Sequence, residues 1–254
     1  MSLALELYVP ARSWLHRLDP RVKLWATLLG IVATFLLPGP PGQALFLGGV
    51  LLWLRSTGIP WRTLRRLWRQ MRLLVLLILL LQPFFTPGGA EILAVGPLHL
   101  TWGGLESALQ LALRALSMTF VTGGLLFTTD QRSLVQALVR LGVPYSWGLT
   151  FSLTLRFLPA IGTLFVTVRE AQAARGWVAE GNFIRRTRDY LPVLVAVVIG
   201  TLRLSDQLTL ALAARGLGAA PQRTVWRGLR MRAADWGTLV GITAAFALLA
   251  AWLL

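Results

Sequence analysis

Long apolar blocks constrain what this chain can fold into more than any other feature of its sequence. Of the 254 residues, 56% are apolar and only 14% are charged, whereas a soluble domain carries roughly 25% charged residues. The apolar residues are grouped in continuous blocks rather than in short alternating runs. This pattern predicts an all-α integral membrane protein.

Five blocks are predicted to be transmembrane helices. Asp19-Pro20 marks the start of the first helix, with Asp as the N-cap, and the Pro/Gly-rich segment Pro38–Gly42 ends it. The second block is short for a crossing of about 20 residues, so it extends into its flanks, lies where the protein is thin, or is re-entrant. The blocks are Val22–Leu37, Gln43–Leu54, Leu73–Phe85, Leu105–Phe127 and Trp236–Leu254.

The placement of basic residues predicts the topology. Of the 25 Lys and Arg residues, 10 lie in positions 12–72, one is Arg114, and 14 lie in positions 132–232. Basic loops stay in the cytoplasm, so the N-terminus, an amphipathic Arg-rich connection at 55–72 and the region 130–232 are predicted to be cytoplasmic. The predicted divisions are an N-terminal membrane part (1–129), a cytoplasmic part (130–232) and a C-terminal transmembrane helix (233–254).

The cytoplasmic part is predicted to contain two long helices. Its apolar stretches, Trp147–Val168 and Leu191–Leu202, are interrupted by Arg156 or are only 12 residues long, and both continue into polar, Arg-bearing helical sequence. We interpret them as helices that lie under the membrane, apolar on one face and Arg-rich on the other. Two additional membrane spans are the alternative, because short apolar runs are ambiguous.

The two long helices end alike, on Ala-Ala-Arg-Gly at residues 173–176 and 213–216. Each also contains a Leu-Pro pair, and the two Pro-to-Arg distances differ by seven residues, about two helical turns. Matching ends suggest two equivalent docking points for a dimeric partner. Ordinary helix capping is the alternative, because a cation complements the helix dipole and Gly adopts the left-handed conformation.

Three segments together resemble the transmembrane coupling (T) components of energy-coupling factor (ECF) importers, the family that includes the CbiQ and BioN proteins. The first is Leu15–Leu24, which is similar to the opening segment of the family. The other two are Arg156-Phe157-Leu158-Pro159 continuing to Ala174-Arg175-Gly176, and Leu191-Pro192 continuing to Ala214-Arg215-Gly216. Their order and separation span nearly the whole chain.

The resemblance implies a non-enzymatic subunit of an ATP-driven importer for a vitamin or a transition-metal ion such as cobalt. It implies two long coupling helices crossed in an X, whose final Ala-Arg-X motifs dock on two ATP-binding subunits, identical or different. A separate substrate-binding membrane protein, the S component, is expected to cover the apolar helix faces. The docking residues implied by position are Ala174, Arg175, Gly176, Ala214, Arg215 and Gly216.

Other function classes fit the sequence poorly. The chain has no Cys and only two distant His residues, so we expect no metal site, no cofactor and no catalytic residues. Its only lysine, Lys23, does not follow a Gly-rich loop, which excludes a standard P-loop. Arg114 is expected to be an interhelical or interfacial arginine. The other arginines follow the predicted cytoplasmic side of the membrane, so we expect membrane lipid and no nucleic acid among the partners. A self-contained secondary transporter or channel is the alternative function.

Overall fold

The computed structural model describes residues 13–86, 91–95, 98–177, 188–218 and 231–253, with the backbone alone for 91–95 and 98–100. The described residues fall into two compact units. The bundle unit comprises those within 13–142 and 231–253, and the long-helix unit comprises those within 143–218. Apart from one two-stranded hairpin, every described element is a helix, which confirms the all-α prediction.

The bundle unit contains seven helices and the hairpin among its described residues. Strands β1 and β2 pair antiparallel, with Val95 opposite Leu98 and an irregular register between Glu91 and Leu93. The elements are α1 (Trp14–Arg17), α2 (Pro20–Leu36), α3 (Gly39–Ser56), α4 (Trp61–Phe85), β1 (Glu91–Val95), β2 (Leu98–Thr101), α5 (Trp102–Thr128), α6 (Gln131–Arg140) and α9 (Ala233–Leu253).

Helix α2 begins as the sequence predicts. Asp19 is its N-cap, the carboxylate of Asp19 accepts a hydrogen bond from the backbone N–H of Arg21 at 2.9 Å, and Pro20 is the first helical residue. The helix ends at Leu36, just before Pro38. Helix α3 then starts at Gly39, so the second apolar block does extend into its flanks.

Helix α4 differs from the prediction of an Arg-rich connection followed by a short span. The Arg-rich sequence and the third apolar block form one continuous helix of 25 residues, and the actual connection is limited to residues 57–60. The helix continues through Pro83 to Phe85. This is tolerated because Pro83 lies in the last turn, where its missing N–H removes only one intrahelical bond.

The core of the bundle unit lies where α3, α4 and α5 pack together. Glycines on α5 allow this close approach, since a Cβ atom on Gly124 would lie 2.7 Å from Cδ2 of Leu54. Phe120 and Leu54 are among the largest fully buried side chains. The core consists of Leu47, Leu54, Ile59, Leu64, Leu116, Phe120 and Phe127.

Arg114 is an interhelical arginine, in agreement with the prediction. Its Nε atom donates a hydrogen bond of 3.1 Å from α5 to the carbonyl oxygen of Thr34 in α2. Its guanidinium also lies 4.9 Å from the ring centroid of Phe35, a cation–π distance. The charged side chain therefore contributes to packing α2 against α5.

The long-helix unit contains α7 (Tyr145–Ala174) and α8 (Leu191–Ala214), which pack against each other. A Cβ atom on Gly200 would lie 3.0 Å from Cδ2 of Leu164, which marks a point of close contact between the helices. In α7 the predicted Arg-rich face is wrong: at about 100° per residue, Arg156 and Arg169 lie roughly 140° apart around the helix. Their charges are distributed around the helix, and apolar side chains lie between them.

Five described helices are long and apolar enough to cross a membrane: α4, α5, α7, α8 and α9. Three of these contain predicted spans. The other two are the long helices predicted to lie under the membrane, so their length and composition also fit the alternative of two more spans. Helices α2 and α3, with 17 and 18 residues, are not in this set, and their crossing stays a prediction.

Candidate functional site

The two predicted docking motifs form the same structure at the ends of α7 and α8. Each helix ends at an alanine, Ala174 or Ala214, and the following arginine is the C-cap. The backbone angles of Arg175 (φ −89°, ψ 13°) and Arg215 (φ −87°, ψ 9°) nearly coincide. Gly176 and Gly216 follow with φ of 83° and 77°, the left-handed region that glycine enters without steric cost.

Backbone hydrogen bonds explain why both helices stop here. Gly176 N–H donates to Ala173 C=O at 3.0 Å, and Trp177 N–H donates to Gln172 C=O at 3.0 Å. The equivalent bonds at the second end join Gly216 to Ala213 and Leu217 to Leu212, both at 2.9 Å. This pair of bonds is the Schellman motif, which caps a helix through backbone atoms and favours Gly at the left-handed position.

Capping therefore explains the glycines but not the arginine side chains. Both guanidinium groups belong to exposed residues, and neither makes a hydrogen bond or ion pair with any described residue of the chain. An exposed arginine carries five donors in a planar fork suited to carboxylates and carbonyl groups. The ends of α7 and α8 thus present two exposed guanidinium groups, without partners among the described residues, on closely similar backbones.

The two ends lie far apart along α8. Indole Nε1 of Trp177, just beyond the first motif, donates to the carbonyl oxygen of Asp189 at 2.7 Å, and its ring packs edge-on against Tyr190 at 5.0 Å. Both partners directly precede α8, so Arg175 lies near the beginning of α8 and Arg215 lies at its end. The 24 residues of α8 span about 36 Å.

The internal similarity of the two helices is confined to these ends. Leu158-Pro159 lies in the middle of α7, whereas Leu191-Pro192 forms the first turn of α8. The Leu-Pro pairs therefore have different structural roles, and the predicted equivalence of the helices applies only to their C-terminal turns.

Large apolar side chains of the long-helix unit are exposed. Only Gly148 is buried in α7 and only Val193 in α8. Such continuous apolar exposure requires cover by lipid or by a protein partner. The most exposed of these side chains include Trp147, Phe151, Leu191, Val198, Leu202 and Leu210.

A second, polar cluster lies in the bundle unit and was not predicted. Asp235, in the first turn of α9, accepts hydrogen bonds from the backbone N–H groups of Asp19 at 3.0 Å and Arg232 at 2.8 Å. Nζ of Lys23 donates to the carbonyl oxygen of Thr128 at 2.9 Å. The segment containing Asp19 and Lys23 carried the family resemblance, but the sequence offered no signal that Asp235 joins it.

The arrangement does not provide a metal centre in the described part of the chain, where no group of three His, Asp or Glu side chains is placed to hold an ion. The buried carboxylates of Asp19 and Asp235 instead accept backbone N–H bonds and fix the start of α2 and α9. Their geometry supports helix positioning rather than bond-breaking chemistry.

Comparison with known proteins identifies the family. A family model described as cobalt transport protein, CbiQ, matches residues 11–226. The energy-coupling factor transporter transmembrane protein EcfT of Listeria innocua is 31% identical over 250 residues, which cover 95% of this chain and 94% of that protein. EcfT of Streptococcus equi is 33% identical over 243 residues, covering 92% and 90%, respectively.

A longer relative has a different description. A putative ABC transporter ATP-binding protein of Bifidobacterium longum is 32% identical over 237 residues, which cover 89% of this chain but 30% of that protein. The family match, the near full-length similarity to EcfT proteins and the five apolar helices agree with one another. The chain therefore belongs to the CbiQ family and is a multi-pass transmembrane (T) component of an energy-coupling factor transporter.

Proposed function

We propose that this subunit couples two ATP-binding subunits, identical or different, to a separate substrate-binding membrane protein that imports a vitamin or a transition-metal ion. The observation that carries the proposal is the pair of matching helix ends at Arg175 and Arg215. Each end presents an exposed guanidinium without a partner among the described residues, although its cap is already complete without that side chain.

The chemistry of the two ends suits protein docking. Arginine keeps its charge and can form paired hydrogen bonds with a carboxylate or with backbone carbonyls in a groove. The neighbouring Ala174 and Ala214 are small and exposed, which allows a partner surface to approach the end of each helix closely. The separation of about 36 Å along α8 fits one contact on each subunit of a dimer.

ATP binding and hydrolysis belong to the partner subunits in this proposal. Lys23 is the only lysine of the chain, and it lies in the first turn of α2 rather than after a Gly-rich loop. The relative from Bifidobacterium longum supports an ATPase partnership, because a region similar to this chain occupies 30% of a protein named for ATP binding. The subunit itself is proposed to be non-catalytic.

Exposed apolar side chains of α7 and α8 are the proposed platform for the substrate-binding membrane protein. Movement of the ATP-binding subunits would shift the ends of the two helices and tilt this platform. The description of the family as cobalt transport protein supports a transition-metal ion as one possible cargo. Recognition of the cargo is assigned to the substrate-binding protein.

We further propose that the subunit lies in the prokaryotic inner membrane, with its N-terminus and its long-helix unit on the cytoplasmic side. Of the 25 basic residues, 14 lie in positions 132–232 and 10 in positions 12–72. This distribution follows the rule that basic segments remain in the cytoplasm, where ATP is available.

Co-purification tests the docking function. The tagged subunit is co-expressed with the ATP-binding subunits of its own source and extracted in mild detergent, either as wild type or as the Arg175→Glu/Arg215→Glu variant. We expect wild type to retain the ATP-binding subunits and the variant to lose them, because a glutamate repels a carboxylate partner. Arg175→Lys/Arg215→Lys should give an intermediate yield, since lysine keeps the charge but lacks the planar fork.

Matched control variants are available on the same helices. Arg169 and Arg203 are exposed arginines of α7 and α8 that lie outside the terminal motifs, so Arg169→Glu/Arg203→Glu makes the same change in charge. This control should retain the ATP-binding subunits. Equal retention by the docking variant would show that Arg175 and Arg215 do not dock, and failure of wild type to retain them would contradict the coupling function.

A further inference from the structure

An apolar groove opens on the bundle unit between α2, α3, α5 and α9. Its volume is about 610 Å³, within the range of known ligand pockets, which is about 300–1,000 Å³. Glycines form part of its wall: a Cβ atom on Gly49 or on Gly241 would meet no other atom within 4 Å. The groove therefore has open space next to the backbone of α3 and α9.

A polar cavity of about 290 Å³ adjoins the groove, and Leu18, Lys23 and Thr128 line both. The cavity lies at one end of the bundle unit, where α5 ends at Thr128 and where α2 and α9 begin. An apolar groove along the helices and a polar cavity at their ends match the two parts of a membrane lipid.

The cavity is built to receive a polar group. Thr129 is 4% exposed, and its hydroxyl has no hydrogen-bond partner in the described part of the chain. The ammonium group of Lys23, whose side chain is buried, uses one of its three donors on Thr128. The exposed arginines Arg17 and Arg232 also line the cavity.

Three carboxylates face the same cavity, but backbone donors already hold two of them. Asp235 accepts two backbone N–H groups, and Asp19 accepts that of Arg21. Asp130 is exposed, as Arg17 and Arg232 are, so water screens all three charges and Asp130 offsets at most one of the two arginines. Among the described residues, Arg17, Lys23, Arg232 and Thr129 therefore offer the cavity side-chain donors that no described acceptor takes up.

We propose that the polar cavity and the apolar groove together bind one phospholipid molecule, with its phosphate in the cavity and an acyl chain in the groove. The phosphate receives hydrogen bonds from Thr129 and from the cationic side chains, which favour an anionic oxygen acceptor. The acyl chain covers the apolar wall beside Gly49 and Gly241. The bound lipid links the beginning of α2 and of α9 to the end of α5.

Native mass spectrometry of the purified subunit in detergent tests the proposal with defined lipids. Phosphatidylethanolamine and phosphatidylglycerol should both bind, whereas diacylglycerol with the same chains should bind about tenfold more weakly because it lacks the phosphate. Inorganic phosphate should not compete, because it lacks the chains. Equal binding of diacylglycerol and phospholipid would show that the cavity does not recognise a phosphate.

Groove-filling variants test the acyl-chain site. Gly49→Leu and Gly241→Leu place a side chain in the groove and should reduce phospholipid binding about tenfold. Gly48→Leu and Gly237→Leu are matched controls, since these glycines also have open space around a Cβ atom but do not line the groove. The controls should bind as wild type does, and thermal unfolding of all four variants checks that they fold.

A second set of variants tests the cationic side chains of the cavity. Arg17→Gln/Arg232→Gln should weaken phospholipid binding, whereas Arg132→Gln/Arg140→Gln removes the same charge from exposed positions of α6 outside the cavity and should not. Unchanged phospholipid binding in the groove-filling or cavity variants overturns the proposal. If these groove-filling variants still bind phospholipid but no longer co-purify with the substrate-binding protein, the groove holds a partner helix instead.

Discussion

The carbonyl oxygen of Thr34 shows how one residue determines where several others lie. In a continuing helix this oxygen would accept the N–H of residue 38, but that residue is Pro38, which has none. Two side chains replace the missing donor: Gln43 donates through its amide nitrogen and Arg114 through Nε. The end of α2 is thereby joined to α3 and α5.

The sequence indicated an interhelical or interfacial position for Arg114 but did not indicate its acceptor. A proline after a helix predicts an unpaired carbonyl group, yet the donor that satisfies it lies 80 residues away in the chain. Similarly, Arg175 and Arg215 were predicted from a repeated motif. The motif did not predict that their side chains lack partners among the described residues, or that backbone bonds complete the caps beside them.

Replacing Arg114 with methionine tests its structural role. The variant Arg114→Met should lower the free energy of unfolding by about 1.5 kcal/mol, the lower end of the range for a hydrogen bond to a charged group, because Gln43 still serves the Thr34 carbonyl. Thermal or denaturant unfolding in detergent measures the change. Arg69→Met, an exposed position of α4, is the control, and equal stability of the two variants would exclude a role of Arg114 in joining the helices.

At the scale of elements, the local sequence predicted most helix starts and ends. It did not predict which segments continue as one helix. Asp19-Pro20, Pro38 and the two Arg-Gly ends are signals that act within a few residues. Continuation of α4 through Pro83 depends on the position of the proline near the helix end. The hairpin of β1 and β2 was missed because backbone pairing between two short segments has no strong local signal.

The contact between Leu164 and Gly200 allows a test of movement between α7 and α8. The chain has no native cysteine, so Leu164→Cys/Gly200→Cys introduces a single reactive pair. A short, reducible cross-linker of thiols should link the helices and stop substrate uptake by the reconstituted transporter. The ATP-binding subunits should stay bound. Loss of uptake is expected because a fixed pair of helices cannot transmit relative motion.

Two controls distinguish loss of helix movement from chemical damage to the protein by the reagent. Each single-cysteine variant, treated with the same reagent, should retain uptake, and reductant should restore uptake to the linked protein. Uptake by the linked protein at the rate of the unlinked one would mean that α7 and α8 move as one body during transport.

At the scale of the whole molecule, the sequence predicted the class of protein and the family, and the comparisons confirmed both. The boundaries of the predicted divisions stay predictions. The structure instead divides its described residues between the bundle unit and the long-helix unit, and α6 belongs to the former. The position of α7 and α8 under the membrane stays a prediction, because both helices combine the length and composition of spanning helices with internal charges.

Labelling of single cysteines determines on which side of the membrane the two ends of α7 lie. With 30 residues, α7 is about 45 Å long, enough to cross a hydrocarbon core of about 30 Å. Ser146 and Ala171 are exposed residues near its opposite ends. For a cytoplasmic long-helix unit, an impermeant maleimide should label Ser146→Cys and Ala171→Cys in inside-out vesicles and neither in right-side-out vesicles.

Two reference positions calibrate this experiment. Pro41, in the first turn of α3, follows the first predicted span and is therefore expected on the side opposite the cytoplasmic N-terminus. Ser56 lies within the predicted cytoplasmic Arg-rich stretch, and both residues are exposed. Pro41→Cys should therefore react only in right-side-out vesicles and Ser56→Cys only in inside-out vesicles. If Ser146→Cys and Ala171→Cys react from opposite sides, α7 crosses the membrane. Both arginine motifs could then share the cytoplasmic side only if the chain crossed the membrane an even number of times between Arg175 and Arg215.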